Sequence, residues 1–223
     1  MEIQPPYQHL EPHTALTLYK SGPEHLLVYW KFQDGQPVSM HIPTPAWLER
    51  FLARLLNQAA VTYLHPRLIA QGPGLQVWWR PAQPAAMFFT MAALAPLSGQ
   101  TFPQPPLLFI QKEQTIHLYA LPADERPTPH TPLLYAPYPN YNPQNGWVCW
   151  GSGAVPPEAT PEAWEQAFFQ SAFSHTLGAM PLKRGNLVDL WQGLANKPRF
   201  PLTRLKKAGK TVQQAVAQVI RHA

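Results

Sequence analysis

Through ALTLYKSG, and again through HLLVYWKFQDGQPVSMHIP, apolar and polar residues alternate one for one, and Asp34-Gly35 interrupts the second run. A period of two is that of a strand with one buried face, and an Asp-Gly pair supplies the left-handed backbone of a tight hairpin. The pattern changes at Thr44-Pro45-Ala-Trp-Leu-Glu, where a cap residue and a proline at the first helical position precede Trp47, Leu48, Phe51, Leu52, Leu55 and Leu56 at helical spacing. That spacing predicts an amphipathic helix from about Pro45 to Asn57. A loop ending at Gly72-Pro73-Gly74 follows. LQVWWRP and AAMFFTM then read as two strands, and PPLLFIQ and TIHLYAL as a further pair turning at Lys112 to Gln114.

Beyond residue 150 the helical period returns. Thr160-Pro161-Glu162 is a start signal, and Trp164, Phe168, Ala172 and His175 form one stripe that Gly178 closes. NLVDLWQGLAN reads as a short helix and TVQQAVAQVIRHA as the last one. The expected class is α+β, an antiparallel sheet flanked by helices. Its core would hold Trp47, Leu55, Phe89, Leu108, Phe109, Leu118, Trp164 and Phe168. There is no internal repeat and no Gly/Ser linker, so one continuous structural unit is expected.

Composition changes this picture in two places. Proline, at 28 residues of 223, disfavours long helices. The prolines sit among aromatic and aliphatic residues, which predicts ordered irregular loops. Charge is uneven: residues 183–223 carry nine Lys/Arg against the single Asp189, while the rest of the chain has an excess of acids. A basic tail attracts nucleic acid, an acidic protein or a membrane surface, and is often merely a solvated face. No apolar run approaches the roughly 18 residues that cross a bilayer, and the N-terminus lacks a signal-peptide pattern. With one cysteine there is no internal disulfide. A cytoplasmic, membrane-free protein is expected.

The chemistry narrows by exclusion. The phosphate-binding Gly-x-x-x-x-Gly-Lys-Ser/Thr loop, the Gly-x-Ser-x-Gly elbow and the His-Glu-x-x-His helix are all missing. The histidines show no metal-ligand spacing, so neither metal nor cofactor is expected. What remains is Cys149, in YPNYNPQNGWVCWGSG. Turn formers there meet a short apolar run, Trp147 to Trp150, that reads as a strand or strand end. Asn140, Asn142, Asn145 and Ser152 bring polar groups, Gly146 and Gly151 permit close backbone approach, and no Asp, Glu, Lys or Arg lies between Arg126 and Glu158. A large partner could dock there without electrostatic penalty. An inert cysteine packed between Val148 and Trp150 is the alternative.

FPQPPLLF, Phe102 to Phe109, followed by YPNYNPQNGWVC, Tyr138 to Cys149, resembles the ubiquitin-conjugating enzyme signature. In that signature a proline-rich segment leads into a strand, a His-Pro-Asn turn and the catalytic cysteine; Tyr138 stands at the histidine position here. WEQAFFQSAFSHTL, NLVDLWQGL and FPLTRL are similar to protein B of the PRTRC cassette, a bacterial ubiquitin-conjugating-like family also termed prokaryotic E2 family D. The resemblance spans about Trp79 to Leu205. It implies a ubiquitin-conjugating-like core at 75–205, preceded by an N-terminal hairpin and helix at 1–74 packed on that core and followed by a basic C-terminal helix at 206–223.

For function, the resemblance implies that Cys149 accepts a ubiquitin-like protein as a thioester from a ThiF-like activating enzyme, within a plasmid-associated cassette. Asn140 would stabilise the oxyanion, and Asn142, Gly151, Ser152 and Tyr138 would support the site. His175, the family's histidine after the cysteine, would serve as base or charge partner. A place in the last turn of a helix would favour its protonated form. The same place suits a core histidine bonded to a carbonyl. Thioester exchange needs little beyond a thiolate, positioning and one oxyanion donor. The other reading is a catalytically silent adaptor whose tail, through Arg204, Lys206, Lys207 and Lys210, binds DNA or an acidic partner.

Overall fold

Asp34 and Gly35 adopt φ of 51° and 73°, the pair of left-handed residues that a two-residue hairpin turn requires. They join β2 (Glu24–Gln33) to β3 (Gln36–His41), and β1 (Thr14–Ser21) completes a three-stranded antiparallel sheet in sequence order. In the computed structural model, which describes residues 13–55, 64–150, 155–156, 160–178 and 182–221, this sheet belongs to the first of two units, Met1–Tyr63 and Leu64–Ala223. Helix α1 (Pro45–Leu55) begins where the sequence signals it, with Thr44 Oγ1 accepting from the Trp47 N–H at 3.2 Å. Its Trp47 stacks on Phe51 at 5.0 Å, and Tyr29 of β2 meets both rings edge-on at 4.6 and 5.4 Å. Asn57 and the side chain of Leu55 lie outside the described residues.

The second unit is organised by a six-stranded antiparallel sheet. Its strands are β4 (Leu68–Gly72), β5 (Leu75–Arg80), β9 (Leu107–Lys112), β10 (Thr115–Ala120), β11 (Pro132–Tyr135) and β13 (Lys207–Thr211), in the order β13-β11-β10-β9-β5-β4. Trp78, Phe109 and Leu118 lie in register across β5, β9 and β10 on one face, all fully buried, with Trp78 stacked on Phe109 at 5.1 Å. Val77, Leu108, Ile110 and Tyr119 face the other way into a second apolar cluster. The central strands are thus covered on both faces, which explains their near-continuous apolar sequence. Each such side chain contributes about 1.5–3 kcal/mol of burial free energy.

Different helices cover the two faces. On the Trp78 face lie α2 (Pro161–Gln170) and α3 (Leu187–Gln192), whose Trp164, Phe168, Leu190 and Trp191 join the larger cluster. On the Val77 face lies α4 (Val212–Arg221), through Val212, Ala215 and Val219. Two-residue pairings, β6 (Ala85–Ala86) with β8 (Thr101–Phe102) and β7 (Phe88–Phe89) with β12 (Ala172–Phe173), close the larger cluster.

The sequence reading differs from this structure at four places. AAMFFTM is divided into β6 and β7, because each half pairs with a different partner. The segment before Gly72 is an edge strand, so the hairpin β4–β5 runs across the 74/75 boundary. The basic tail forms β13 before its helix, pairing with β11 and burying Ala208. Finally, α2 stops at Gln170, where the Ser171 hydroxyl donates to the Phe168 carbonyl at 2.7 Å. Phe173 is fully buried beside Phe89, Tyr138 and Phe168. That burial, with the β12 pairing, overrides the helical period that Ala172 and His175 continue.

Charge docks α2 on the sheet. Glu165 accepts from Arg67 Nη1 at 2.6 Å and from the Trp78 indole at 2.9 Å, and lies 3.3 Å from Arg80 Nε. Arg80 is 4 % exposed and stacks over Phe169 at 4.6 Å. Burial pushes the Glu165 carboxyl up against the pull of the two guanidiniums, and pushes the Arg80 guanidinium down. At Glu162 burial opposes ionisation, yet the Arg67 hydrogen bond and the nearby charges hold the carboxyl below its usual value. A buried pair of this kind is weak evidence for net stability, although removing one partner is costly because it strands the other.

Candidate active site

After β11 the chain turns inward. Trp191 Nε1 donates to the Pro137 carbonyl at 2.9 Å, and the Tyr138 hydroxyl donates to Gln104 Oε1 at the same distance. Tyr138 is 1 % exposed, and burial raises its pKa, so it remains a neutral donor packed among Phe168, Phe173 and Trp191. Asn140 follows with φ of 61°, in the left-handed region that asparagine tolerates better than most residues.

Asn140 is the hub of the site. Its N–H donates to the His175 carbonyl at 2.7 Å, and its carbonyl accepts from the Cys149 N–H at 2.8 Å. Its carboxamide NH2 donates to the Ala172 carbonyl at 3.0 Å, while Oδ1 accepts from the Ser174 and His175 N–H groups, each at 3.2 Å. The side chain therefore clamps the segment after α2 onto the segment bearing the cysteine. Asn140 itself is 1 % exposed.

Cys149 ends a short strip that borrows the sheet. The Leu118 N–H donates to the Gly146 carbonyl at 2.8 Å and the Val148 N–H to the Ile116 carbonyl at 3.1 Å, with bridges from His117 to Trp147 and from Tyr141 to Val148. Residues 146–148 thus extend the sheet along β10 below its pairing with β11. The cysteine follows this strip, and β13 closes the sheet later in the chain. It is half-buried.

The turn that delivers it is built from amides. Asn142 Oδ1 accepts from the Gln144 N–H at 2.9 Å and Asn145 Oδ1 from the Trp147 N–H at 3.0 Å, an arrangement that fixes turns locally. The Asn145 carbonyl accepts from the Tyr119 hydroxyl at 2.9 Å and from His117 Nδ1 at 3.0 Å. Burial lowers the His117 pKa, the Asn145 bond pulls the other way and the Lys210 charge adds to the lowering. Gly146 has φ of +80°, and a Cβ there would stand 2.6 Å from the Tyr119 ring.

His175 lies beyond the helix, exposed, with Nδ1 2.8 Å from Ser174 Oγ. The helix dipole invoked for it does not apply, since α2 ends five residues earlier. Its position depends instead on Asn140. Gly151 and Ser152 lie outside the described residues. Of the basic residues, Lys210 folds back on the cysteine turn, 5.7 Å above the Tyr119 ring and 2.7 Å from Gln218 Oε1, and desolvation lowers its pKa. Lys206 and Lys207 are exposed, and Arg204 donates to the Arg184 carbonyl at 3.0 Å. Ser174 and Gln104 are the site-positioning residues that the sequence reading passed over; a hydroxyl adjacent to the chosen histidine was the available signal.

The sequence model of prokaryotic E2 family D matches residues 44–208, well over half of the chain. The chain belongs to prokaryotic E2 family D. Neither the curated proteins nor the solved structures compared with it give a match. The E2 match begins at Thr44, next to α1, and ends within β13, leaving the β1–β3 sheet and α4 outside it. Membership gives the chain a ubiquitin-conjugation-like role, with an activating enzyme and a ubiquitin-like protein as the general kinds of partner. The α+β architecture of antiparallel sheets with few helices is compatible with such a role. Among the described residues no group of His, Cys, Asp and Glu could hold a metal ion, and no helix is long and apolar enough to cross a membrane.

Proposed function

We propose that this E2-like protein carries a ubiquitin-like protein as a thioester on Cys149, taken from a ThiF-like activating enzyme and passed to an amine or another thiol, within a plasmid-associated PRTRC cassette. The observation that carries this reading is the Asn140 hub, whose main chain bonds both to Cys149 and to His175. The Cys149 sulfur attacks the carbonyl carbon of the incoming thioester; its new C–S bond forms as the donor's C–S bond breaks, and the donor leaves as a thiolate. His175 takes the thiol proton through Nε2, since Nδ1 is engaged by Ser174. The carboxamide of Asn140 is committed to residues 172–175, so it acts here as a positioning residue. The half-buried Asn142 amide becomes the side-chain donor for the oxyanion.

Incubation with the activating enzyme, the ubiquitin-like protein and ATP should give an adduct that a thiol reductant removes on a non-reducing gel. Cys149→Ser should abolish that adduct or convert it to a reductant-resistant ester. A reductant-sensitive adduct on Cys149→Ser would remove Cys149 from the mechanism. His175→Ala should slow loading about tenfold or more and leave thermal stability unchanged.

A further inference from the structure

Away from the cysteine, the segment after α2 and the segment before β13 meet in a short antiparallel pairing. Leu182 bridges Leu205, and the Lys183 N–H donates to the Arg204 carbonyl at 2.9 Å. In this register Lys183 faces Arg204, with Arg184 and Thr203 next in line. These four residues line a cleft of about 540 Å³. Like charges set opposite each other across a strand pair repel. The ion pairs among the described residues all join His65, Arg67 or Arg80 to Glu162 or Glu165, so none of them relieves this cluster. Asp189 caps α3, where Oδ2 accepts from the Asn186 N–H at 3.3 Å, and the same oxygen stands behind Arg204, 3.2 Å from the Cβ that Gly185 lacks.

Despite the repulsion, Arg204 is held in place. Its Nη2 donates to the Arg184 carbonyl at 3.0 Å. Gly185 makes room for it: at φ of +67°, a Cβ there would lie 2.8 Å from that nitrogen. An arginine fixed by one N–H keeps its remaining donors oriented for a ligand.

We propose that this cleft binds phosphate oxyanions. Its lining consists of two guanidiniums, an ammonium and a hydroxyl, a set rich in donors with no carboxylate and no aromatic ring among them. Guanidinium forks match the paired oxygens of a phosphate, and the lysine adds a point charge beside them. Exposed Lys206 and Lys207, just past Leu205, extend the positive surface. The site is independent of the acyl-carrier reading of Cys149.

Such oxyanions belong either to a free phosphorylated ligand or to a nucleic-acid backbone, and two probes separate the sources. Inorganic pyrophosphate is titrated in a thermal-shift assay, and a labelled mixed-sequence DNA duplex of about 20 bp is followed by anisotropy between about 50 and 200 mM salt. Duplex binding that weakens steeply with salt assigns the backbone, and stabilisation by pyrophosphate without duplex binding assigns a free ligand. In either arm Lys183→Gln and Arg204→Gln each cost about tenfold in affinity, and in the duplex arm each lowers the salt slope by about one. In phosphate-free buffer Lys183→Gln melts no lower than the parent, because it removes one of two facing cations. A lower melting point would assign Lys183 to the fold and overturn the site. Failure of both probes, variants that bind like the parent, or equally tight binding of poly-glutamate would overturn it as well.

Discussion

The cysteine turn and the cationic cleft both rest on isolated strand bridges, Tyr141 to Val148 in one and Leu182 to Leu205 in the other, yet they are finished in opposite ways. Around Cys149 the Asn140 carboxamide is matched at both ends, Asn142 and Asn145 each accept a backbone N–H through Oδ1, and the segment from Pro127 to Pro157 holds no Asp, Glu, Lys or Arg. Around Arg204 the donors outnumber their acceptors, and the facing groups share one sign. A closed network fixes geometry and tolerates little change, because each lost partner strands another buried group. An open set of donors tolerates change in the free protein and registers it only when a ligand is present. On the readings proposed above, the first region positions a reacting group and the second recognises a ligand.

The largest effect tests the closed network. Asn140→Ala strands the Ala172 carbonyl and the Ser174 and His175 N–H groups, and places alanine at a left-handed φ. It should cost about 3 kcal/mol in urea unfolding. Asn140→Asp retains the acceptor and should cost clearly less. Equal losses would show that the Oδ1 bonds contribute nothing.

Gly146→Ala comes next. The strained φ and the contact with the Tyr119 ring should together cost about 2 kcal/mol, read from the thermal midpoint. The Tyr119→Leu background, which removes the hydroxyl and the ring edge, should recover part of that loss. No recovery would place the whole cost in the backbone.

The smallest effect concerns His117, the titratable ring bonded to the turn through Asn145. Its folded pKa is lowered, chiefly by burial, from the ordinary 6.5, so on acidification the unfolded chain takes up the proton first. The neutral ring therefore favours folding fully above about pH 6.5, and that contribution fades as pH falls towards the folded pKa. His117→Gln should show a shallower loss of melting temperature between about pH 7.5 and 5.5 than the parent. An unchanged slope would place the pH response elsewhere.

Much of the scaffold was legible because local chemistry and tertiary packing agree. Asp34-Gly35, Thr44-Pro45 and Thr160-Pro161 punctuate the chain where elements begin or turn, and the core expected at Phe89, Leu108, Phe109, Leu118, Trp164 and Phe168 is buried. Trp47 is half-buried. Where the two disagree, packing prevails. The stripe through Ala172 and His175 continues the helical period, but Phe173 is worth more inside the aromatic cluster than on the helix. KAGKT has one strand former, Thr211, yet it closes the sheet because an edge strand can keep Lys207 in water while its backbone pairs.

By itself the sequence determined the alternation that makes the sheet, the caps that start the helices, the single cysteine with its amide-rich turn and the concentration of positive charge after residue 182. These are local properties, set by side-chain type and backbone preference over a few residues. Only the tertiary structure decided that Asn140 joins Cys149 to a segment 26 residues further on, that His175 leaves its helix, and that Lys183 faces Arg204. Each of those depends on long-range pairing, whose free energy comes from burying distant apolar groups together and carries no signature in the intervening sequence.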